Sequence, residues 1–474
     1  MSKQIDLLDK SISPRKIVWA LAWPAVVEQM LMTIVTYVDA AMVGSAGVTA
    51  TAAVGVNTSV IWMLTGLMAG LGVGASVLIA KKIGEGNAEE AKAFLRQAIV
   101  AMTCLGLILT LIGQLILTPY LAKWMGAEEN LIAPAQMYMR IVSAAFLFQV
   151  FLGVGGSIIR GTGDTRSPMV YNVISNVVNL IGNFLFIYPT RTISVLGLEF
   201  TMWGAGMGVG GAALGTSLAF LVAGSITMFH LFSRRRPFSV SLKEDFRPNR
   251  DHLDQMIRLA LPSTFERVTL SAGQMLITAL VTGMGSSVLA AHQLANTAES
   301  ICYMPVFGFN VAVTTLVAQA LGAGEKQMAK EYGNLCLKYG FLIMIGCAIA
   351  MYAMAPQMIA LFIDDAAVIA TGAAMLRIEA LAEPALAIAT VAPGILRGAG
   401  DTKWPFYISI IGMWMVRMTL AVFCIKVLGM GLEGIWIPMA LDWFTRAIIS
   451  MWRIRGGKWL NIWDRTHPSK TENV

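Results

Sequence analysis

The side chains best suited to chemistry in this sequence are polar groups that interrupt long apolar stretches. Asp39 lies in TYVDAAMVG, toward the end of the first such stretch, and Thr216 lies in GGAALGTSLAF. Between them, the segment YNVISNVVNLIGN carries asparagines at i, i+4, i+7 and i+11: Asn172, Asn176, Asn179 and Asn183. This spacing places the amides on one face of an α-helix.

A carboxylate, amide carbonyls and a hydroxyl form an all-oxygen set, which suits a hard cation such as Na⁺, or a proton on the carboxylate. We therefore predict an ion-coupling site built from Asp39, Asn179, Asn183 and Thr216. Asp39, Asn179 and Asn183 would be metal ligands only if the ion is Na⁺. Either ion removes the charge of Asp39 and so favours a different packing of the helices. The asparagines can instead simply join helices by hydrogen bonds, and this alternative stays open.

Two glutamates, Glu28 and Glu266, each follow a proline by four residues inside an apolar stretch. Ionisable residues at membrane depth are functional hypotheses by default. We therefore predict a substrate cleft that attracts a cation and is lined by these glutamates and by Asn172 and Asn176. The alternative for each glutamate is a bond to a neighbouring helix. We expect most other charges within the apolar stretches to form internal pairs: Arg140, Arg267, Arg377, Glu379, Glu383, Arg417, Asp442 and Arg446.

The composition indicates which elements position these groups. The chain is 56% hydrophobic and 13% charged, whereas soluble proteins carry about 25% charged residues. Runs of roughly 20 apolar residues span a bilayer as helices, and such runs follow one another here, which excludes a soluble α-protein. The cysteines lack CxxC spacing, the histidines lack HExxH, and no nucleophile–base set is present. We therefore expect no enzyme activity and no cofactor.

Twelve spans are predicted, at 15–43, 48–80, 93–119, 132–159, 167–190, 205–233, 252–284, 288–320, 332–355, 368–396, 404–428 and 433–454. Lys and Arg concentrate on alternate connections, which predicts that both termini are cytoplasmic. The net charge of +7 is then a signal of topology, and we expect no nucleic-acid partner. A multi-pass protein of the inner (cytoplasmic) cell membrane follows.

The sequence is internally duplicated. RGTGDT at 160–165 returns as RGAGDT at 397–402, LAWPAVVEQ (21–29) as LALPSTFER (259–267), and IGEGNAEEAK (83–92) as LGAGEKQMAK (321–330). Six spans per half is an even number, so both halves enter the membrane from the same side and are related by an axis along the membrane normal. Transporters built this way hold substrate between the halves and rock one against the other.

Each hexapeptide follows the fourth span of its half and contains glycines that permit a tight turn. We interpret both as structural corners, formed by Arg160, Asp164, Arg397 and Asp401. The Arg and Asp could pair with each other or with loop backbone, and a role as an inner gate is the alternative.

The duplication did not preserve the predicted ion site. Asp39 corresponds to Ile277 in the second half. The asparagines correspond, in order, to Ser409, Met413, Val416 and Leu420. The ion site is therefore predicted in the first half alone.

With these motifs in view, the chain resembles the multidrug and toxic compound extrusion (MATE) transporters. The resemblance covers nearly the whole chain and rests on LAWPAVVEQ, VDAAMVG, AKKIGEGN, RGTGDTRSP, NVISNVVNLIGN, LALPSTFE, VLAAHQLANTAES, VAQALGAGE and RGAGDTKWP. It implies twelve helices in two bundles around a cleft, and export of cationic, lipophilic compounds driven by inward H⁺ or Na⁺.

The resemblance also implies site residues. In one branch an Asp on span 1 works with polar residues of span 5 and a hydroxyl of span 6, which match Asp39, Asn179, Asn183 and Thr216. That branch often has Asp where this chain has Asn183, which favours a proton role for Asp39. In another branch a Glu on span 7, matched by Glu266, pairs with an Asp on span 10. Leu386 lies near that second position, so the site is incomplete unless Glu379 or Glu383 substitutes.

We thus predict an all-α membrane protein with twelve transmembrane helices in two six-helix bundles related by a pseudo-two-fold along the membrane normal. Predicted boundaries are a cytoplasmic segment (1–16), a bundle (17–233), a linker (234–250), a second bundle (251–455) and a tail (456–474). The predicted function is ion-coupled antiport of small organic cations by a monomer in the lipid bilayer. The alternative is a flippase for a lipid-linked precursor, which would need a basic cleft.

Overall fold

The computed structural model describes residues 6–195, 198–233 and 238–463. Its long helices are α1 Pro14–Ser45, α2 Val48–Gly84, α3 Ala88–Trp124, α4 Glu129–Ala144 with Phe146–Gly161, α5 Arg166–Phe186, α6 Val209–Phe232, α7 Arg250–Thr282, α8 Ser286–Gly322, α9 Lys326–Ala360, α10 Ala366–Gly398, α11 Lys403–Lys426 and α12 Glu433–Arg455. These twelve helices follow the predicted spans in order.

Within the described residues, nine of these helices are long and apolar enough to cross a membrane, and α4 is a tenth if its two segments form one span. The remaining two, α7 and α12, are as long but richer in charged residues. Several helices begin earlier than the apolar pattern predicts: α9 starts at Lys326 rather than 332. The reason is that their first turns are amphipathic and continue the helix beyond its apolar part.

Three helices are irregular. The segments of α4 meet at an angle of 55° near Ala145. Turns of π-helix occur in α3 at Gly113–Leu117, in α4 at Phe151–Gly155 and in α11 at Ile411–Met418. Each π turn shifts the helix face that follows it, so sequence spacing alone does not give the facing of residues beyond it.

A β-hairpin joins α5 to α6 and was not predicted from the sequence. Strands β1 Pro189–Val195 and β2 Leu198–Ala205 pair in antiparallel fashion, with Thr192 opposite Thr201. Pro189 cannot continue the preceding helix, and the following residues are rich in β-branched types, which favour extended strands. The hairpin adds a small sheet to an otherwise helical fold.

The two halves repeat their backbone turns. We call the face where α1 begins the inner face and the opposite one the outer face. Gly47 and Gly285, at the outer starts of α2 and α8, have the same φ of 112°. Gly163 and Gly400, in the two hexapeptides, have φ values of 93° and 77°. Only glycine adopts such conformations without strain, so the duplication is visible in the backbone.

The halves meet closely at the inner face, where the ends of α2 and α8 cross. A Cβ on Gly84 would lie 2.0 Å from the Gln319 carbonyl oxygen, and one on Gly322 would lie 2.1 Å from that of Lys81. Glycine therefore permits direct backbone contact between the halves, in a nearly symmetric pair. Thr315 and Gln319 of α8 also donate to the carbonyl oxygens of Arg160 (3.1 Å) and Gly161 (2.9 Å).

The chain ends and the predicted linker are only partly described. Residues 1–5, 234–237 and 464–474 lie outside the described residues, and 238–249 contain no helix. The segment before α1 crosses to the second half, because Leu7 accepts a hydrogen bond from Tyr332 Oη at 2.6 Å and Lys10 pairs with Glu325 at 2.7 Å.

Candidate ion and substrate sites

Asp39 lies at the centre of a hydrogen-bonded cluster formed by α1, α5 and α6. Asn183 Nδ2 donates to Asp39 Oδ1 and also to Asn179 Oδ1, the latter at 3.3 Å. Asn179 Nδ2 in turn donates to Thr216 Oγ1 at 3.2 Å. The structure therefore brings together all four residues of the predicted ion-coupling site. Within the described part of the chain, no basic side chain forms an ion pair with Asp39.

Glycines allow the helices to approach closely enough for this cluster to form. A Cβ on Gly182 of α5 would lie 2.8 Å from Gly215 Cα of α6, and a Cβ on Gly215 would lie 2.4 Å from Asn183 Oδ1. Gly215 precedes Thr216, so the same contact sets the depth of the hydroxyl beside Asn179. Sequence reasoning did not single out these two glycines.

The other two asparagines of the stripe lie outside this cluster. Asn172, toward the inner face, donates from Nδ2 to Glu28 Oε1 at 2.8 Å. Asn176, between the Asp39 cluster and Glu28, has a buried Nδ2 without a hydrogen-bond partner in the described part of the chain. The stripe therefore divides into an outer part that surrounds Asp39 and an inner part that binds Glu28.

Glu28 and Glu266 occupy equivalent places in the two halves. Arg160 Nη1 donates to Glu28 Oε1 at 3.0 Å. In the second half Arg397 Nη2 donates to both Glu266 oxygens, at 2.8 and 2.9 Å, and Ser409 Oγ donates to Oε1 at 3.2 Å. Both glutamates are 4% exposed.

Each glutamate thus meets the arginine of its own half's hexapeptide and the equivalent polar residue of span 5 or span 11. These contacts fit the alternative that the sequence left open for both glutamates, which is a bond to a neighbouring helix. Glu266 also lines a cavity between the halves, about 160 Å³ in volume.

The aspartates of the two hexapeptides contact other residues than the arginines do, and the two aspartates have different partners from one another. Asp164 accepts from the backbone N of Ser167 at 2.9 Å and from its Oγ at 2.6 Å, beside the start of α5. Asp401 pairs with Arg453 of α12 at 2.6 Å. Pairing between Arg and Asp of one hexapeptide, one of the two possibilities drawn from the sequence, was therefore wrong. The contacts of Thr315 and Gln319 with the first hexapeptide leave an inner-gate role open beside that of a corner.

The second half buries a different set of charges. Asp442 lies between two arginines, with Arg446 Nη2 at 2.8 Å from Oδ2 and Arg417 Nε at 2.8 Å from the same oxygen. These are internal pairs, as expected from the sequence. Glu379 and Glu383 depart from that expectation, since all four carboxyl oxygens are buried without a hydrogen-bond partner among the described residues.

Tyr37 and Ser300, which the sequence did not single out, link the Asp39 cluster to the second half. Tyr37 of α1 donates to the Thr297 carbonyl oxygen at 3.0 Å and bonds to Ser300 Oγ of α8. It lies two residues from Asp39, and Ser300 follows Glu299, a buried acid of the second half. The in-span position of Glu299 in QLANTAES was the signal available in the sequence.

The Asp39 cluster can be tested for its fit to Na⁺. It offers one carboxylate, and the amide group of Asn183 nearest to that carboxylate is its N–H donor. Asn183 Oδ1 is buried without a partner among the described residues, and is the amide oxygen left for a cation. The cluster as it stands therefore suits a proton on Asp39. It would suit Na⁺ only if Asp39 and an amide oxygen both turned toward the ion.

A model of one protein family, described as MatE, matches the chain twice, at residues 24–185 and 262–423. The two matches begin at the prolines that precede Glu28 and Glu266 and cover most of the chain. The chain belongs to the MatE family. Members of this family are transporters rather than enzymes, and the two matches reproduce the duplication found in the sequence.

Curated relatives agree with this assignment over nearly the full length. "Probable multidrug resistance protein NorM" of Thermotoga maritima is 27% identical over 94% of this chain and 93% of its own length. "Uncharacterized transporter YisQ" of Bacillus subtilis is 26% identical over 95% of this chain and 96% of its own. This MatE protein is therefore a multi-pass membrane transporter of the multidrug efflux family.

Solved structures of MATE proteins share its fold. One, described as MATE in complex with MaL6, superposes with a TM-score of 0.88 at 24% identity, covering 97% of this chain and 99% of its own. Another, an outward-facing multidrug resistance MATE transporter of the MOP superfamily, has a TM-score of 0.85 at 25% identity, with the same coverage. The predicted two-bundle, all-α membrane fold is thus confirmed.

Proposed function

We propose that this chain is a secondary active antiporter that exports cationic, lipophilic drugs or metabolites in exchange for H⁺ or Na⁺ by alternating access. The observation that carries the proposal is Asp39, a carboxylate at membrane depth that is hydrogen-bonded to amides and free of any described basic partner. The negative charge of such an acid is neutralised when an ion binds and restored when the ion leaves, and the cost of burying the acid changes with its charge.

In this mechanism Asp39 binds the ion from the outer side. Neutralising the carboxylate changes the hydrogen bonding with Asn183, and through Asn179 with Thr216, so that α1, α5 and α6 repack. The contact of Tyr37 with α8 carries the movement of α1 to the second half. The single carboxylate and the N–H donor beside it support H⁺ over Na⁺ as the coupling ion.

The remaining features of the proposal follow from the sequence. The distribution of Lys and Arg supports cytoplasmic termini and the inner membrane of the cell. Small organic cations are the proposed substrates, and the monomer is the proposed working unit. The family match and the names of the curated relatives do not favour a flippase.

The test uses the full-length protein in proteoliposomes loaded with a fluorescent cationic dye. Dye movement is measured under an imposed H⁺ gradient, an imposed Na⁺ gradient, or ATP alone. We expect one ion gradient to drive the dye and ATP to have no effect. Movement that requires ATP would contradict the proposal.

Asp39→Asn is expected to abolish gradient-driven dye movement, because an amide neither releases a proton nor carries the charge that attracts Na⁺. Asp254→Asn is a matched control, since Asp254 is exposed and pairs with Arg258 on the surface of α7. Equal transport by Asp39→Asn and wild type, at equal amounts of folded protein, would refute the role of Asp39.

A further inference from the structure

Arg267 is a cation in the second half that forms no ion pair among the described residues. It lies mid-way along α7, and its equivalent in the first half is the neutral Gln29. The preceding residue, Glu266, is already engaged by Arg397 and Ser409. Among the described residues no carboxylate lies within ion-pair distance of Arg267. Arg267 is exposed to the cavities around it, so its guanidinium is open to a ligand.

The side chain of Arg267 faces cavities rather than packed protein. It lines the cavity between the halves, a cavity of about 460 Å³ inside the second half, and one of about 110 Å³ beside it. Sites for small organic molecules are about 300–1,000 Å³, so the 460 Å³ cavity, which we call the C-half cavity, is large enough for one.

The charges on the walls of the C-half cavity are mostly positive. Arg417 and Arg446 line it together with Arg267. Among the described residues, Arg417 and Arg446 both form ion pairs with Asp442, which is 0% exposed. Arg417 is 6% exposed, and its Nη2 is buried without a hydrogen-bond partner among the described residues. A guanidinium presents several N–H donors that match a carboxylate, and here some of them are unused.

The one acid on the cavity wall is Glu299, which forms no ion pair within the described residues. Glu379 and Glu383 do not line the cavity. The other walls are aromatic or sulfur-containing: Tyr303, Phe307, Trp443, Met413 and Met439. Aromatic and methionine side chains accommodate flat apolar ligands of varied shape. The walls thus offer guanidinium groups, one carboxylate and an apolar surface.

We propose that the C-half cavity binds an aromatic zwitterion, with the ligand's carboxylate held by Arg267 and Arg417 and its cationic end facing Glu299. This proposal rests on the proposed function as an exporter and extends its substrates from pure cations to molecules that also carry a carboxylate. The Asp39 cluster and the C-half cavity would then have separate tasks, ion coupling in one half and recognition of the anionic group in the other.

The test uses a matched pair of dyes, rhodamine B, a zwitterion at neutral pH, and its ethyl ester, a cation. Binding to the purified full-length protein is measured by fluorescence anisotropy. Arg267→Gln is expected to weaken binding of rhodamine B at least about tenfold, which corresponds to about 1.4 kcal/mol, and to change binding of the ester less than about twofold. Arg267→Lys should restore part of the binding of rhodamine B. Arg377→Gln, an exposed in-span arginine outside these cavities, should bind both dyes like wild type.

Three outcomes would overturn the proposal: no binding of rhodamine B to wild type, equal losses for both dyes in Arg267→Gln, or no loss for either. The proposed antiport is judged separately, by gradient-driven movement of the ester in proteoliposomes. Movement of the ester that persists in Arg267→Gln leaves antiport standing whichever way the binding result falls.

Discussion

The first half holds Asp39, a carboxylate without an ion pair among the described residues, near the outer ends of α1, α5 and α6, where amides and a hydroxyl surround it. At the equivalent place the second half has Ile277, which is 2% exposed and packs in an apolar cluster with Met413. The second half instead carries its charges on α7, α8, α10, α11 and α12. Both halves nevertheless keep a Glu–Arg pair at the same place, Glu28–Arg160 and Glu266–Arg397.

The difference separates two kinds of buried charge. The two Glu–Arg pairs that hold helices together are retained in both copies, together with the glycine turns of the hexapeptides. Asp39 and Arg267, neither of which forms an ion pair among the described residues, each occur in one copy only. In this duplicated chain, the two charged residues proposed for transport therefore lack an equivalent in the other half, whereas the Glu–Arg pairs proposed for structure are kept in both.

The largest expected effects on stability come from breaking the two retained pairs. Arg160→Ala or Arg397→Ala leaves a buried carboxylate without its partner, which typically costs about 3–5 kcal/mol. We expect the greater loss for Arg397→Ala, because Arg397 contacts both oxygens of Glu266. Thermal unfolding in detergent is the measurement, with the exposed Arg377→Ala as the control. Losses below about 1 kcal/mol for both variants would contradict a shared structural role.

A smaller effect is expected from Gly215→Ala, at the close contact between α5 and α6 in the first half. The added Cβ would lie 2.4 Å from Asn183 Oδ1, so α6 must move away from α5. Overpacking of this kind costs about 1–3 kcal/mol. Gradient-driven transport should fall more than stability does, because the Asp39 cluster is displaced.

Gly346→Ala is the control for Gly215→Ala, since a Cβ on Gly346 meets no atom within 4 Å. Transport by Gly215→Ala at the wild-type rate would show that the approach of α6 to Asn183 is not needed for coupling.

The smallest effect concerns Glu85, at the inner end of α2. Its Oε2 lies 2.8 Å from Lys82 Nζ, and its Oε1 lies 3.3 Å from Lys81 Nζ. The equivalent residue in the second half is Ala323. Burial raises the pKa of Glu85, but the hydrogen bonds and charges of Lys82 and Lys81 outweigh it, and the pKa lies below its ordinary value. A lowered pKa gives stability at neutral pH that is lost as the pH falls through that pKa.

Glu85→Gln should therefore lower the free energy of unfolding at pH 7 by less than about 1 kcal/mol, the range for exposed pairs. The difference from wild type should shrink as the pH falls below about 4. Thermal unfolding at the two pH values measures it, with the exposed Glu128→Gln as the control. A difference in the free energy of unfolding that grows as the pH falls would contradict the lowered pKa of Glu85.

Local patterns predicted the helices and much of the Asp39 cluster. The apolar runs predicted the twelve spans because a bilayer demands length and hydropathy, both of which are read along the chain. The asparagine spacing predicted one helix face because that face is set by 3.6 residues per turn. The β-hairpin was missed because it is short and lies between two spans.

Contacts between distant parts of the chain were decided by packing alone. The sequence by itself determined that Asn179 and Asn183 share one helix face, and that the first half differs from the second. Only the tertiary structure decided that Arg160 pairs with Glu28 rather than Asp164, that Gly215 brings α6 onto Asn183, and that Arg267 faces a cavity. The reason is that helix periodicity depends on neighbours in sequence, whereas the choice of partner depends on which helices touch and at what depth.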